Sequence, residues 1–206
     1  MTRLALLLVL LLPHLARADR RELYTQLALG PAVLFLSDPA GSSSTATHPA
    51  LSVELSTFYG LTNSFHLGGT IRFTGTRNAR YASIGVALPD GSLPLGSLYL
   101  DAWSLGAAAL VAYRHDTGLD LAPTARVELG LAHSAYQRRE LIPATRNYSL
   151  TLPSVSDFAP TARAVVGIEY RFRDSLVASA GLGIRRAFGS SLPWTLDIPL
   201  NFGVIW

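Results

Sequence analysis

Residues Trp194 to Trp206 read W-T-L-D-I-P-L-N-F-G-V-I-W, and the rest of the chain can be read outward from them. The even positions Trp194, Leu196, Ile198, Leu200, Phe202, Val204 and Trp206 are all large and apolar. The odd positions Thr195, Asp197, Pro199, Asn201 and Gly203 are small, polar or charged, and only Ile205 departs from this. Strand side chains alternate between faces, so the pattern predicts a strand with one apolar and one polar face. Aromatic residues stand at both ends of the apolar face. At roughly 3.3 Å per residue the stretch extends about 40 Å. A tilt of about 40° reduces that to roughly 30 Å of height, close to the apolar band of a membrane-spanning strand with its aromatic flanks.

The composition agrees with dispersed rather than continuous hydrophobicity. The 206 residues suit one domain, and 49% of them are hydrophobic. Beyond the N-terminus no apolar run approaches the ~20 residues of a spanning helix. There is no cysteine, which excludes a disulfide framework, a thiolate metal site and a lipid anchor on cysteine. His48, His66 and His115 are scattered without metal-ligand spacing, and neither a metal nor a cofactor is expected.

Residues 1–18 have the layout of a secretory signal peptide. Arg3 is the charged start, Leu4 to Leu12 the apolar centre, and Ala16-Arg17-Ala18 the cleavage site. Without Arg3 and Arg17, 15 arginines face 14 acidic residues, so residues 19–206 are near neutral and no nucleic-acid partner is implied.

The same alternation recurs upstream. It predicts strands over 23–35, 51–59, from 65 onward, 99–114, 119–134, 158–172 and 175–185, with the opening stretch as the eighth. Residues 37–49, 76–98 and 135–157 read as long polar connections, with Pro89-Asp90-Gly91-Ser92 as a turn inside the second. The residues flanking that turn, 83–88 and 93–98, could prolong strands three and four as a hairpin. Residues 60–64, 115–118 and 173–174 are short turns. Long and short connections alternate, so all short turns fall at one end and all long ones at the other. Pro31 and Pro199 sit in the first and last strands, where each lacks a ladder donor, and a bulge or a hydrated carbonyl is expected there.

Eight alternating strands with this rhythm resemble the small eight-stranded outer-membrane barrels, the OmpA transmembrane domain and its OmpX- and OmpW-type relatives. The resemblance covers the whole of residues 19–206 and is architectural. It implies an all-β, eight-stranded antiparallel up-and-down transmembrane β-barrel in a Gram-negative outer membrane, with short turns and both termini periplasmic. It also implies that Trp206, on an alternating last strand, is the signal read by the barrel-insertion machinery. The competing architecture is a soluble sandwich or lipocalin-like barrel. Soluble surfaces carry about a quarter to a third charged residues. This chain has 15% in all, and the polar faces of its strands are mainly Gly, Ala, Ser and Thr. Such residues suit the narrow interior of an eight-stranded barrel. Aromatic residues gather at the strand ends, with Tyr59, Tyr113, Tyr170, Phe172 and Trp206 below and Trp103, Phe158 and Trp194 above.

Three sets of residues are candidates for function. Glu54, Arg72, Arg126, Glu128, Arg163, Arg185 and Asp197 fall on the inward face near mid-height. Hairpin geometry sets Arg72 diagonal to Glu54, Glu128 level with Arg163, and Asp197 diagonal to Arg185, with Arg126 sharing Glu128. Cross-strand diagonals of about 7–8 Å are within reach of long side chains, so a salt-bridge plug closing a polar lumen is expected. Arg77, Arg80, Arg138, Arg139, Arg146 and Arg186 lie in the long connections, and their guanidinium forks suit the phosphates of lipopolysaccharide. His133-Ser134 suggests a hydrolase, and one eight-stranded family deacylates lipid A. Adjacent strand residues diverge, however, and the residue two beyond His133 is Ala135.

The reading is therefore a non-enzymatic outer-membrane barrel acting through its structure and external loops, with membrane lipid and lipopolysaccharide as neighbours. An OmpW-like conduit for small hydrophobic compounds is the alternative, and a lipid A-modifying enzyme a more distant one. Nothing identifies an extracellular partner. Trp206 is expected to be required for insertion: deletion of Val204 to Trp206 should leave protease-sensitive periplasmic chains, and normal insertion of the deletion would refute the assignment.

Overall fold

The computed structural model describes residues 22–37, 45–85, 91, 95–115, 117–144, 149–172, 175–190 and 192–206. The signal segment 1–18 and Arg146 lie outside the described residues. The strands are β1 (Leu23–Ser37), β2 (Thr45–Gly60), β3 (Phe65–Gly85), β4 (Leu95–Arg114), β5 (Leu121–Pro143), β6 (Leu150–Leu152), β7 (Val155–Phe172), β8 (Leu176–Ala187), β9 (Trp194–Asp197) and β10 (Leu200–Ile205). All pairings are antiparallel and run in the order β10-β1-β2-β3-β4-β5-β7-β8-β9, and short β6 adds a ladder to the top of β5. β9 and β10 together form one stave between β8 and β1. The result is a closed eight-stave, up-and-down barrel.

Leu23 and Trp206 complete the closure. The Leu23 amide donates to the Trp206 carbonyl at 3.3 Å, and the Trp206 amide returns a bond at 2.9 Å. The two prolines meet at this seam without a bulge. Leu29 pairs Leu200 and Ala32 pairs Asp197, so the register runs through both prolines unshifted. Each proline keeps its acceptor role: the Ile198 amide donates to the Pro31 carbonyl at 3.0 Å, and the Gly181 amide to the Pro199 carbonyl at 3.1 Å. Gly30 makes this close approach possible, since a Cβ there would stand 1.9 Å from the Ile198 oxygen.

The outer wall carries the large apolar residues predicted for it. Leu27, Ile71, Leu129, Val166, Leu182 and Phe202 are exposed there, and the interleaved residues point inward. Tyr59, Phe158, Tyr170, Phe172, Trp194 and Trp206 are exposed on this wall as well, and Trp103 and Tyr113 are half-buried on it. An inside-out distribution of this kind belongs to a protein whose exterior solvent is hydrocarbon.

The strands outrun the membrane at one end. A tilted spanning strand needs about 9–11 residues, whereas β3, β4 and β5 have 21, 20 and 23. Segments expected to be polar connections are thus partly strand: Thr45 to Ala50, Thr76 to Gly85, and Tyr136 to Pro143. The polarity of the two faces reverses there. Arg77, Arg80, Gln137, Arg138 and Glu140 point outward, and Tyr81, Leu98, Leu100, Tyr136 and Leu141 point inward. Above the bilayer the exterior is water, so the projecting hairpins need an apolar centre of their own.

Three register shifts fall in this projection, one of them between Tyr81 and Ile84, and the other two lie side by side. The β3–β4 register shifts between Thr76 and Ala79, and the β4–β5 register shifts between Tyr99 and Asp101. Asn78 and Arg138 take left-handed φ values of 54° and 47° at these bulges. Asp101 lies between them: its carboxylate accepts from the Asn78 amide at 3.0 Å and lies 3.6 Å from Arg138 Nε. One acidic side chain thereby holds both bulges.

Candidate functional site

The interior is filled in three tiers, and the middle tier brings together most of the charges expected there. Glu54 from β2 sits level with Arg72 from β3, directly opposite rather than diagonal. Arg72 Nη2 lies 2.7 Å from one Glu54 oxygen and 2.6 Å from Glu128 on β5. Arg126 contacts Glu54 at 2.7 Å and Glu128 at 2.8 Å. Arg163 on β7, level with Glu128, reaches it at 2.8 Å and Glu54 at 3.0 Å. Two glutamates are thus each bridged by the same three guanidiniums. Ser56 adds a hydroxyl donor to Glu54 at 2.7 Å.

Asp197 and Arg185 stand diagonal across β8 and β9 as expected, with Gly183 opposite Asp197 and Thr195 opposite Arg185, but their side chains turn to other partners. Asp197 turns to Arg163 and takes a forked pair of hydrogen bonds from its Nε and Nη2. Gly183 lies beneath that pair, and a Cβ there would be 2.5 Å from the Asp197 oxygen and 2.9 Å from Arg163 Nε. Arg185 instead donates to the hydroxyls of Ser104 at 3.3 Å and Thr195 at 3.1 Å.

The lower tier was not among the expected sites, although strand alternation by itself turns Tyr24, Glu169 and Arg171 to the inward face. Tyr24 stacks on Phe58 at 4.9 Å, with His66 edge-on to both rings. Around these rings Arg114 pairs with Glu169 at 3.0 Å, and Arg171 pairs with Glu22 at 3.1 Å. The Tyr24 hydroxyl donates to Glu22 at 2.7 Å and also meets Arg171. Between this tier and the middle one lies a cavity of about 50 Å³ lined by Gln26, His66, Arg126, Glu169 and Asn201 among others.

The upper tier corrects the expectation of a lumen polar throughout. Leu34, Leu36, Ala79, Tyr81, Leu98, Leu100, Tyr136, Leu141 and Leu192 pack there as one buried cluster. The expectation followed from alternation within the membrane, whereas this cluster stands where the exterior has changed from hydrocarbon to water.

The surface arginines separate into two kinds. Arg77, Arg80, Arg138 and Arg186 are exposed, Arg80 over the Tyr99 ring and Arg186 between Phe188 and Trp194. Arg139 is a correction: it is buried and donates to the Pro153 carbonyl at 2.8 Å. The bulge at Arg138 shifts the alternation by one residue and turns Arg139 inward. His133 packs edge-on against Trp103 on the outer wall, while Ser134 bonds Ser104 inside at 3.2 Å, so the two face apart.

The fold is that of the small eight-stranded outer-membrane barrels. It is similar to the crystal structure of Ail, the attachment invasion locus protein of Yersinia pestis, at 9% identity over 91% of this chain and 99% of that one, with a TM-score of 0.54. It is also similar to Neisserial surface protein A, at 13% identity over 89% and 96% of the two chains, with a TM-score of 0.55. No family model matches the sequence, and no curated protein matches it.

Removing one partner of a buried ion pair costs about 3–5 kcal/mol, because it leaves a charge uncompensated. Glu128→Ala should therefore lower the urea midpoint of the refolded barrel by a corresponding amount, with Glu128→Gln intermediate. Midpoints equal to wild type in both variants would mean that water, not Glu128, satisfies Arg72, Arg126 and Arg163.

Proposed function

We propose that this chain is an integral, non-enzymatic protein of a Gram-negative outer membrane, closed to ions and acting through its external face. On this reading residues 1–18 are removed on export, and the short turns and both mature termini are periplasmic. The filled interior carries the reading. A solute crossing the barrel would have to displace a sealed apolar cluster, then a network in which three guanidiniums bridge two glutamates, then a stacked aromatic tier. The long β3, β4 and β5 meanwhile extend above the membrane as a platform where an external partner is met.

Planar-bilayer recording tests the closure. The refolded wild type should give no steady current, and Glu128→Ala should give transient openings. A steady open-channel current in the wild type, unchanged by that substitution, would refute it. Uptake of small hydrophobic solutes into liposomes that contain the wild type, above the uptake into empty liposomes, would favour the conduit reading instead.

The partner proposed for the platform is lipopolysaccharide. Arg77, Arg80, Arg138 and Arg186 stand exposed near or above the upper aromatic residues, and guanidinium matches phosphate oxygens in a bidentate manner. Ail has been solved in complex with the heparin analogue sucrose octasulfate, one case of this fold meeting a polyanion. Purified lipopolysaccharide should be retained by the wild type and several-fold less by the Arg77→Gln, Arg138→Gln double variant. Equal retention of the dephosphorylated lipid would refute the phosphate assignment.

A further inference from the structure

The middle tier does not balance. Three carboxylates, Glu54, Glu128 and Asp197, face four guanidiniums, Arg72, Arg126, Arg163 and Arg185, and every one of the seven is buried. The first three arginines consume the carboxylates. Among the described residues Arg185 has no carboxylate within salt-bridge distance. Within those residues its side chain is bound by the hydroxyls of Ser104 and Thr195 alone, which leaves three of its five donor hydrogens without a partner there. The lower tier, by contrast, pairs Arg114 and Arg171 with Glu169 and Glu22. The surplus positive charge therefore belongs to Arg185. A buried, uncompensated ion carries a heavy free-energy penalty.

A small cavity opens beside this guanidinium. It has a volume of about 10 Å³, and its lining includes Thr70, Arg72, Glu128, Thr161, Arg163 and Arg185. Volumes of about 10–15 Å³ hold one water-sized occupant. Its polar lining is rich in donors. Ser56 gives its proton to Glu54, so the Thr70 hydroxyl donates to Ser56 at 3.1 Å, and the donors that remain for an occupant are the Thr161 hydroxyl and the unused hydrogens of Arg185. The Glu128 oxygens, the acceptors on the lining, are already engaged by Arg72, Arg126 and Arg163. Phosphate, sulfate and carboxylates are too large for a space that admits one atom.

We propose that one monatomic anion, a halide, occupies this cavity, neutralises Arg185 and completes the mid-barrel network. Chloride is the halide most available at a cell surface. The site differs from the external arginines, which are exposed and suit oxyanions, and it is independent of whether the barrel conducts.

The test is the urea midpoint of the refolded barrel in sodium chloride, sodium bromide and sodium gluconate at equal ionic strength. A ligand that binds only the folded state stabilises it in proportion to the logarithm of its concentration above the dissociation constant. The wild-type midpoint should rise with chloride and bromide and stay flat in gluconate. Arg185→Met removes the surplus charge, so it should lose the halide response. Thr161→Val, which keeps the shape and removes a hydroxyl, should require several-fold more halide for the same shift and serves if Arg185→Met does not fold. Crystals of the wild type grown in bromide should show an anomalous peak beside Arg185. Equal midpoints in halide and gluconate, a halide response retained in Arg185→Met, or bromide only at exposed arginines such as Arg77 and Arg80, an adventitious ion only, would each overturn the proposal.

Discussion

Hydrocarbon cannot accept or donate a hydrogen bond, and the rest of this structure follows from that. Every backbone polar group at bilayer depth must find its partner in the chain itself, which only a helix or a closed barrel allows. The closure between β1 and the β9–β10 stave is therefore the step on which the fold depends. It is also where the chain is least regular, since two prolines remove two ladder donors there. The register survives because Gly30 lets the Ile198 carbonyl approach closely, and because both prolines still accept from Ile198 and Gly181. The Leu23–Trp206 pair fastens the lower end of the same seam.

The same constraint explains why the interior changes character with height. At bilayer depth the apolar residues are committed to the wall, so the inward positions hold Ser, Thr, Gly and the ion network. Above the bilayer the wall faces water, the commitment lapses, and Leu98, Leu100, Tyr136 and Leu141 turn inward around Leu34 and Leu36. The bulges held by Asp101 lie close to this change. One barrel thus contains an inside-out half and a half built like an ordinary soluble β-protein, joined along continuous strands.

How much of this was legible in the sequence depends on whether the information was local. Strand number, faces and aromatic positions are period-two signals, and each stave could be read alone. The level pairing of Glu128 with Arg163 was also legible, because β5 and β7 are adjacent staves. Glu54 and Arg72 came out level instead of diagonal because the turn is entered one residue later, with Gly60 opposite His66 and the Thr62 hydroxyl accepting from the Phe65 amide. The bridges from Arg163 to Glu54 and to Asp197, and from Arg126 to Glu54, skip staves or cross the lumen, and no pairwise hairpin argument contains them. The upper cluster was missed for a different reason. The projecting strands carry turn-like composition, and their apolar residues follow the opposite facing rule.

The ion network is better understood as a device for register than as a source of stability. Replacing buried ion pairs with well-packed apolar residues often leaves a protein as stable or makes it more so, so seven buried charges are not the obvious way to fill a narrow barrel. In a membrane barrel, however, an interior as apolar as the wall would leave the two faces of each strand interchangeable. A slip of one residue exchanges the faces of a strand. With Glu54, Arg72, Glu128 and Arg163 in place, such a slip would drive an ion into hydrocarbon, which is costly at mid-bilayer. Slips of two residues keep the faces but shift the heights, and here the shared geometry matters. Arg163 must meet Glu54, Glu128 and Asp197 at once, so displacing β7 by one inward position breaks contacts to β2, β5 and β9 together. Gly183 adds to the restriction, because a Cβ there would stand within 3 Å of both Asp197 and Arg163 and would push their paired side chains aside. The network therefore selects one alignment of the staves out of several that the apolar wall would accept equally well.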